Sequence, residues 1–326
     1  MKLAEKLDLS KEELINFLRQ MLLIRRFEEK AAEMYMRGKI GGFLHLYIGE
    51  EAVAVGAISC LKPEDYIVTH YREHGHALVR GIEAKRIMAE LFGKATGTSK
   101  GKGGSMHLFD ASKGFMGGYA IVGGMMPVGV GLALASQFKE EGRVTMCFFG
   151  DGAVNQGEFH ESLNLAALWK LPIVFLCENN GYGMGTHVDK TFSGSDISKL
   201  AERYDMPCCQ KIDGMDVLVV RDEVMKWVER ARNGGGPSFV EVMTYRFRGH
   251  SMADPLEYRN KQEEEKWKKR DPIPLFKKRL LAEAVVSEEE MALLQKEVDR
   301  EVEEAVEFAE KSPFPSLESV YEDVYV

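Results

Sequence analysis

Between residues 14 and 34 apolar residues return every three or four positions. Leu14, Phe17, Leu18, Met21, Ile24 and Phe27 share one face, and charged residues fill the other. That period predicts an amphipathic helix over about 11–37 that belongs to a core or a subunit interface. Ser10 followed by Glu13 is a capping box for its start, and Gly38 is a stop. Farther on the pattern changes to short, solidly apolar runs. "VTMCFF" (144–149) and "IVFLCE" (173–178) flank a helical stretch at about 157–169, and "SFVEVMTY" (238–245) follows an "NGGGP" turn. Runs this short and this apolar read as strands buried on both faces, the habit of a parallel sheet. "YIVTHYREHGHALVRG" (66–81) reads as strand, polar turn and helix start, with a helix near 83–92 after it. Pro127 is expected to open a small-residue helix, "PVGVGLALASQF". Ser287–Lys311 is a capped, charge-rich amphipathic helix, expected as a peripheral appendage in a C-terminal helical segment over about 275–326. The alternation predicts an α/β fold: a mostly parallel central sheet flanked by helices. With no repeat and no convincing linker, residues 1–326 are expected to form a single domain.

The stretch from Gly93 to Gly124 breaks the pattern, with nine glycines between Gly97 and Gly124. It has little of its own to pack with and is expected to be either disordered or wrapped on a ligand or partner. The net charge of −8 argues against a nucleic-acid surface. Five cysteines without a C-x-x-C pair, set in apolar surroundings, read as reduced residues of a cytoplasmic protein. No run reaches the roughly 18 apolar residues of a membrane span. The start, "MKLAEKLDLSKEEL", lacks an apolar h-region, so no signal or transit peptide is expected.

The chemistry concentrates in "GDGAVNQGEFHESLNLAALWKLPIVFLCENN" (150–180). Strand, turn, helix and strand form a βαβ unit whose two strands are parallel and adjacent. Asp151 then stands just past the first strand and Asn179 and Asn180 just past the second, at the edge where open α/β sheets bind ligands. Parallel neighbours lie about 4.8 Å apart, so side chains from both ends can converge on one ion. A carboxylate with an amide oxygen suits Mg²⁺ or Ca²⁺, and Mg²⁺ keeps positions open for phosphates. The glycines beside Asp151 let a phosphate reach backbone N–H groups. Either motif alone reads more simply as a turn or a cap; together, around one βαβ unit, they indicate a Mg²⁺–diphosphate site.

GDG, 26 residues and then NN resembles the signature of thiamine-diphosphate enzymes. "GKIGGFLHLYIGEEAV", "THYREHGHAL", "GKGGSMH", "AIVGG", "CENNGYGMGT" and "YRFRGHSMADP" extend the likeness, in order, from about residue 10 to 275. Together they resemble the alpha subunits of the pyruvate dehydrogenase component of 2-oxo acid dehydrogenase complexes. The resemblance implies that Asp151 and Asn180 bind Mg²⁺ by side chain and Tyr182 by its carbonyl. It implies that Tyr71 and Arg72 hold the diphosphate, that Gly152 and Ala153 offer it N–H groups, and that Ala120 and Val122 line the aminopyrimidine. Ala120 stands where glycine is commoner in the family. His250 would lie over the diphosphate and reacting carbon, and His45 beside a small 2-oxo acid substrate, with histidines near neutral pKa relaying a proton. The resemblance further implies a beta subunit (two alpha and two beta chains) and a lipoyl-bearing acyltransferase that takes the acetyl group. It implies neither a nucleic-acid nor a membrane partner. Alpha subunits of acetoin and branched-chain 2-oxo acid dehydrogenases are similar, and a noncatalytic metal- and nucleotide-binding subunit is a distant alternative. Without the pattern, Arg72 would be a surface ion pair and His45 a core histidine. His74, His76 and His107 read as structural, and "KQEEEKWKKR" as a solvated face.

Overall fold

In the computed structural model, residues 9–194, 196–322 and 324 are described, apart from the side chains at 209 and 210. The strands are β1 (Tyr66–His70), β2 (Phe115–Tyr119), β3 (Thr145–Gly150), β4 (Ile173–Asn179), β5 (Tyr182–Gly183), β6 (Thr186–His187), β7 (Cys208–Asp213) and β8 (Ser238–Met243). Six form one parallel sheet in the order β2-β1-β3-β4-β8-β7, while β5 and β6 pair separately and antiparallel. The apolar runs have the expected cause, because the sheet is covered on both faces. Met146, Phe148, Val174, Leu176 and Val242 enter one core, while Cys147, Phe149, Phe175, Cys177 and Phe239 enter the other.

The helices are α1 (Lys11–Met36), α2 (Glu51–Ile58), α3 (His74–Val79), α4 (Ala84–Leu91), α5 (Met125–Phe138), α6 (Gly157–Trp169), α7 (Lys199–Glu202), α8 (Val217–Arg232), α9 (Lys261–Lys268), α10 (Pro272–Ala282) and α11 (Glu288–Lys311). The Ser10–Glu13 capping box forms, and Gly38 follows α1 with φ +71°. Helix α5 starts two residues before Pro127. The proline sits in the first turn, where its missing N–H has no intrahelical partner to lose. Helix α11 lies outside the sheet but is no loose appendage. It buries Met291, Leu294, Val298, Val302, Ala305 and Ala309 against α1 and α4, and Arg26–Asp299 and Lys30–Glu303 pairs flank the seam at 2.7 Å. Exposed ion pairs contribute little, so the apolar stripe holds the helix. Among the described residues, no helix is long and apolar enough to cross a membrane. Cys60, Cys147, Cys177 and Cys208 are free thiols.

The glycine-rich stretch is not disordered, because it is folded on buried carboxylates of its own chain. Glu90 of α4 accepts N–H groups from Ser99 and Gly101 on one oxygen (2.8 and 2.9 Å) and from Gly103 and Gly104 on the other (2.7 and 3.0 Å). A charged acceptor with several amide donors makes strong hydrogen bonds, and these also satisfy a carboxylate that would be costly to bury alone. Gly97 permits the approach, since a Cβ there would lie 2.3 Å from a Glu90 oxygen. Next along the chain, the Ser105 hydroxyl meets His74 Nε2 at 2.9 Å, and Glu28 holds the other ring nitrogen. Leu108 N–H donates to Glu73 at 3.0 Å. The segment then becomes β2, which joins the sheet at its edge.

Glu73 gives a test of this packing. Burial pushes its carboxyl up to about 8, the nearby His74 and the Leu108 N–H opposing it only in part. Its second oxygen has no hydrogen-bond partner among the described residues. The folded chain therefore holds a proton there that an unfolded glutamate releases near about 4.3. The protonated carboxyl favours the fold below that value, and the advantage is lost as pH rises through about 8. Glu73→Gln, permanently uncharged, should leave the Tm nearly unchanged at about pH 5 and raise it by a few degrees at about pH 9. Thermal melts at both pH values decide it; a lower Tm at the alkaline pH overturns the assignment.

Candidate active site

Strand β3 ends at Gly150 and β4 at Asn179, and Gly150 pairs with Glu178. Asp151 and Asn180 consequently leave the sheet side by side, as the βαβ reading requires. Beyond them opens a cavity of about 350 Å³, lined by Tyr71 and Arg72 after β1, Val122 after β2, Asp151, Gly152 and Ala153 after β3, Asn180 and Tyr182 after β4, and His250 after β8. Five strand ends thus meet at one edge. Gly152 has β5 close by, for a Cβ would come within 3.3 Å of the Gly183 Cα. Ala120 and His45 do not line the cavity. His45 stands behind it, its ring 4.7 Å from Tyr71 and 5.0 Å from His250.

The two asparagines do different work. Asn179 turns away from the cavity: its amide nitrogen donates to buried Glu241 at 2.7 Å and its oxygen accepts Gly181 N–H at 3.0 Å. Asn180 faces the cavity. Its nitrogen donates to Glu50 at 3.0 Å, which turns Oδ1 the other way, toward Tyr182 N–H at 3.2 Å. The Tyr182 hydroxyl donates to Glu263 of α9, and Trp267 stacks on Tyr245 with ring centroids 5.3 Å apart. The charged run "KQEEEKWKKR" is therefore not only a solvated face, since one of its turns braces the site.

Asp151 is 2% exposed, and its Oδ2 has no hydrogen-bond partner among the described residues. Burial pushes its carboxyl up to about 6, against an N–H from its own backbone and the nearby Arg246. A buried carboxylate oxygen with nothing to bind, beside an amide oxygen, fits a hard cation such as Mg²⁺. Asp151 is not the only acid at the cavity, however: Glu178 near the end of β4 and Glu50 just ahead of α2 also line it. Apolar patterning conceals Glu178, because a carboxylate closing a buried strand looks the same in sequence whether it faces core or cavity.

Arg72 is 3% exposed and is not a surface ion pair. Two of its donors are committed to the carbonyls of Leu46 and His250, both at 2.8 Å, so it offers the cavity charge rather than a free fork. Arg246, on the loop after β8 that also carries His250, is a second buried cation lining the cavity. Burial and the neighbouring Arg246 bring the Arg72 guanidinium down to about 10, with Glu50 opposing. Two guanidiniums held together in a buried wall suit a polyanion.

The histidines differ from expectation. Burial, followed by the charge of Arg72, brings His250 down to about 3 and His45 to about 2. Both are neutral rings in this charge environment, not groups poised near neutrality; a diphosphate beside Arg72 and Arg246 would offset the cations and raise them. His250 Nδ1 and His45 Nδ1 are buried without partners among the described residues. His70, His76 and Glu178 also bring ligand-type atoms within 4.8 Å of one another. This group is a hydrogen-bonded network rather than a metal site. His70 Nδ1 accepts Arg72 N–H at 3.1 Å, so Nε2 carries the ring hydrogen and donates it to Glu178 at 2.5 Å. A metal on Nε2 would require hydrogen on Nδ1, facing that N–H. His74 and His76 are structural, as expected.

The family profile described as dehydrogenase E1 component matches residues 19–318. A protein of Porphyra purpurea named pyruvate dehydrogenase E1 component subunit alpha is 47% identical over 321 residues, covering 96% of this chain and 93% of that one. A protein of the same name from Rhizobium meliloti (strain 1021) is 46% identical, covering 97% and 91%. An alpha-3, chloroplastic subunit of Oryza sativa subsp. japonica is 45% identical, covering 97% of this chain and 76% of its own length.

Proposed function

The chain belongs to the dehydrogenase E1 component family, and from that premise we propose that it is the alpha subunit of a pyruvate dehydrogenase. The reaction is oxidative decarboxylation of pyruvate, with the acetyl group passed to the lipoyl group of the complex's acyltransferase. Thiamine diphosphate, when bound, supplies the electron sink that lets CO₂ leave. The observation that carries the assignment of the site is Asp151, buried with one oxygen unpartnered among the described residues, in the wall of a cavity that Asn180, Arg72 and Arg246 also line.

The chain's own residues then have the following tasks. Asp151 and Asn180 by side chain and Tyr182 by carbonyl hold Mg²⁺. Tyr71, Arg72 and the N–H groups of Gly152 and Ala153 hold the diphosphate, and Arg246 adds a second positive charge. Val122, with Ala120 beside it, faces the aminopyrimidine. His250 lines the cavity and handles a proton at the reacting carbon, and His45 supports it from behind. A single domain spanning the chain carries these groups. The protein works in the cytoplasm beside a beta subunit, in a tetramer of two alpha and two beta chains. Exposed apolar residues support a partner surface at the cavity rim, where Ile121 is 72% and Val122 40% exposed.

Steady-state kinetics test the reading. The purified chain alone should be nearly inactive, activity should appear on adding the beta chain, and pyruvate should give a higher kcat/KM than acetoin or 3-methyl-2-oxobutanoate. Robust decarboxylation by the chain alone, monodisperse by light scattering, contradicts the requirement for a partner. A preference for another substrate moves the assignment to that dehydrogenase. Binding of nucleoside diphosphate in place of thiamine diphosphate in a titration removes the assignment altogether.

A further inference from the structure

We propose that Glu178 is a positioning residue that sets the spacing between the two cofactor-holding arms of the chain. One arm, Tyr71–Arg72, leaves β1; the other, Asn180–Tyr182, leaves β4. The inference rests on the functional reading of those arms.

The two strands are not neighbours. β3 lies between them, so the arms start two strand spacings apart, about 9.6 Å, and no ladder hydrogen bond connects them directly. Gly150 lies opposite Glu178 on that intervening strand. Glu178, two residues before Asn180, is 1% exposed and closes the gap with its carboxylate. Oε2 accepts His70 Nε2–H at 2.5 Å, and Oε1 accepts His76 Nε2–H at 3.2 Å and the Tyr47 hydroxyl. His70 in turn accepts Arg72 N–H on its other nitrogen at 3.1 Å, which closes the turn presenting Tyr71 and Arg72. An unbroken path therefore runs from the Arg72 backbone through one imidazole and one carboxylate to the strand end carrying Asn180. Arg72 extends it through its bond to the His250 carbonyl, so the loop after β8 is tied to the same path. The Arg72 N–H on Nδ1 and the Glu178 oxygen on Nε2 together fix the tautomer of His70. Packing alone would not require that.

The test uses the enzyme reconstituted with its beta chain and titrated calorimetrically with thiamine diphosphate at fixed Mg²⁺. His70→Asn keeps an oxygen near the place of Nδ1 for the Arg72 N–H but is too short to reach Glu178, so it cuts the link alone. Groups that orient metal and cofactor ligands typically change affinity by about 10- to 100-fold, and a loss of that size is expected, with kcat recovering at saturating cofactor. In Glu178→Gln the amide oxygen can still accept His70 Nε2–H while the NH₂ faces His76 and the Tyr47 hydroxyl, both able to accept, so the path should hold and affinity should fall by less than about threefold; ¹⁵N shifts of the His70 ring should report the kept tautomer. Tyr47→Phe removes one donor and leaves the path intact, so its affinity should fall by less than about threefold. Unchanged affinity in His70→Asn, or an equal loss in Tyr47→Phe, overturns the proposal. If Glu178→Gln is insoluble, His70→Asn decides alone. Failure of the wild-type enzyme to bind thiamine diphosphate would instead overturn the functional reading beneath it.

Discussion

Asp151→Ala is expected to abolish Mg²⁺-dependent binding of thiamine diphosphate while the fold survives. The carboxylate belongs to the strand-end turn of Asp151–Asn155, and its Oδ2 makes no hydrogen bond among the described residues. Its removal gives up the N–H groups of Asp151 and Asn180 that the carboxyl accepts, but it also relieves the cost of burying a charge, which already pushes the carboxyl up to about 6. The thermal midpoint should therefore change little. Binding should collapse, because Asn180 and the Tyr182 carbonyl are neutral and cannot compensate a divalent ion by themselves. A loss beyond about 10²-fold in affinity is expected, at the upper end of what metal-site substitutions produce. Calorimetry of cofactor binding and a thermal melt, run on the same sample, separate site from scaffold. Affinity within about twofold of wild type would remove Asp151 from the metal set.

His250→Ala should lower kcat by about 10²–10⁴-fold, the usual range for a group that moves a proton in the transition state, while cofactor affinity changes far less. The loop permits that separation because it is held by its backbone. His250 N–H donates to Asp254 at 2.6 Å, its carbonyl accepts from Arg72, and Asp254 also binds the Tyr258 hydroxyl. Truncating the imidazole leaves all three contacts in place. The sign of the pH dependence follows from the surroundings. Burial and then Arg72 bring the ring down to about 3, so it starts neutral and able to accept a proton. A diphosphate that offsets Arg72 raises the value in the complex, and kcat should fall as pH drops through it. The alanine variant should lack that limb. A normal kcat at saturating thiamine diphosphate would show that His250 only anchors the loop.

The β3–α6–β4 unit was legible because its apolar runs are buried on both faces and its turn residues sit at the strand ends. Asp151 and Asn180 come together simply because parallel neighbours place their ends at one edge. Other parts had no local signal. β2 is "FMGGY", two glycines in a strand of five, and a carboxylate just ahead of α3 and one on α4 hold the segment leading into it. β7, "CCQKID", is a polar edge strand with no alternation to mark it. Glu50 and Glu178 escaped notice because a charge at the end of an apolar run reads as the start of solvent. Only the strand order turns that end toward a cavity. The histidines were recognised by type but not by charge state, because their basicity depends on Arg72, which approaches from a different strand.

The carboxylate anchors of the glycine-rich segment also link the cavity wall to the helices. That segment has no nucleus of its own: Glu28 arrives on α1, Glu73 immediately ahead of α3, His74 on α3 and Glu90 on α4. Those helices must pack for the loop to close, and the closed loop seats β2 at the sheet edge and brings Val122 to the cavity. The wall that would face the aminopyrimidine is thus seated by the same buried carboxylates that join three helices, and it shares their stability.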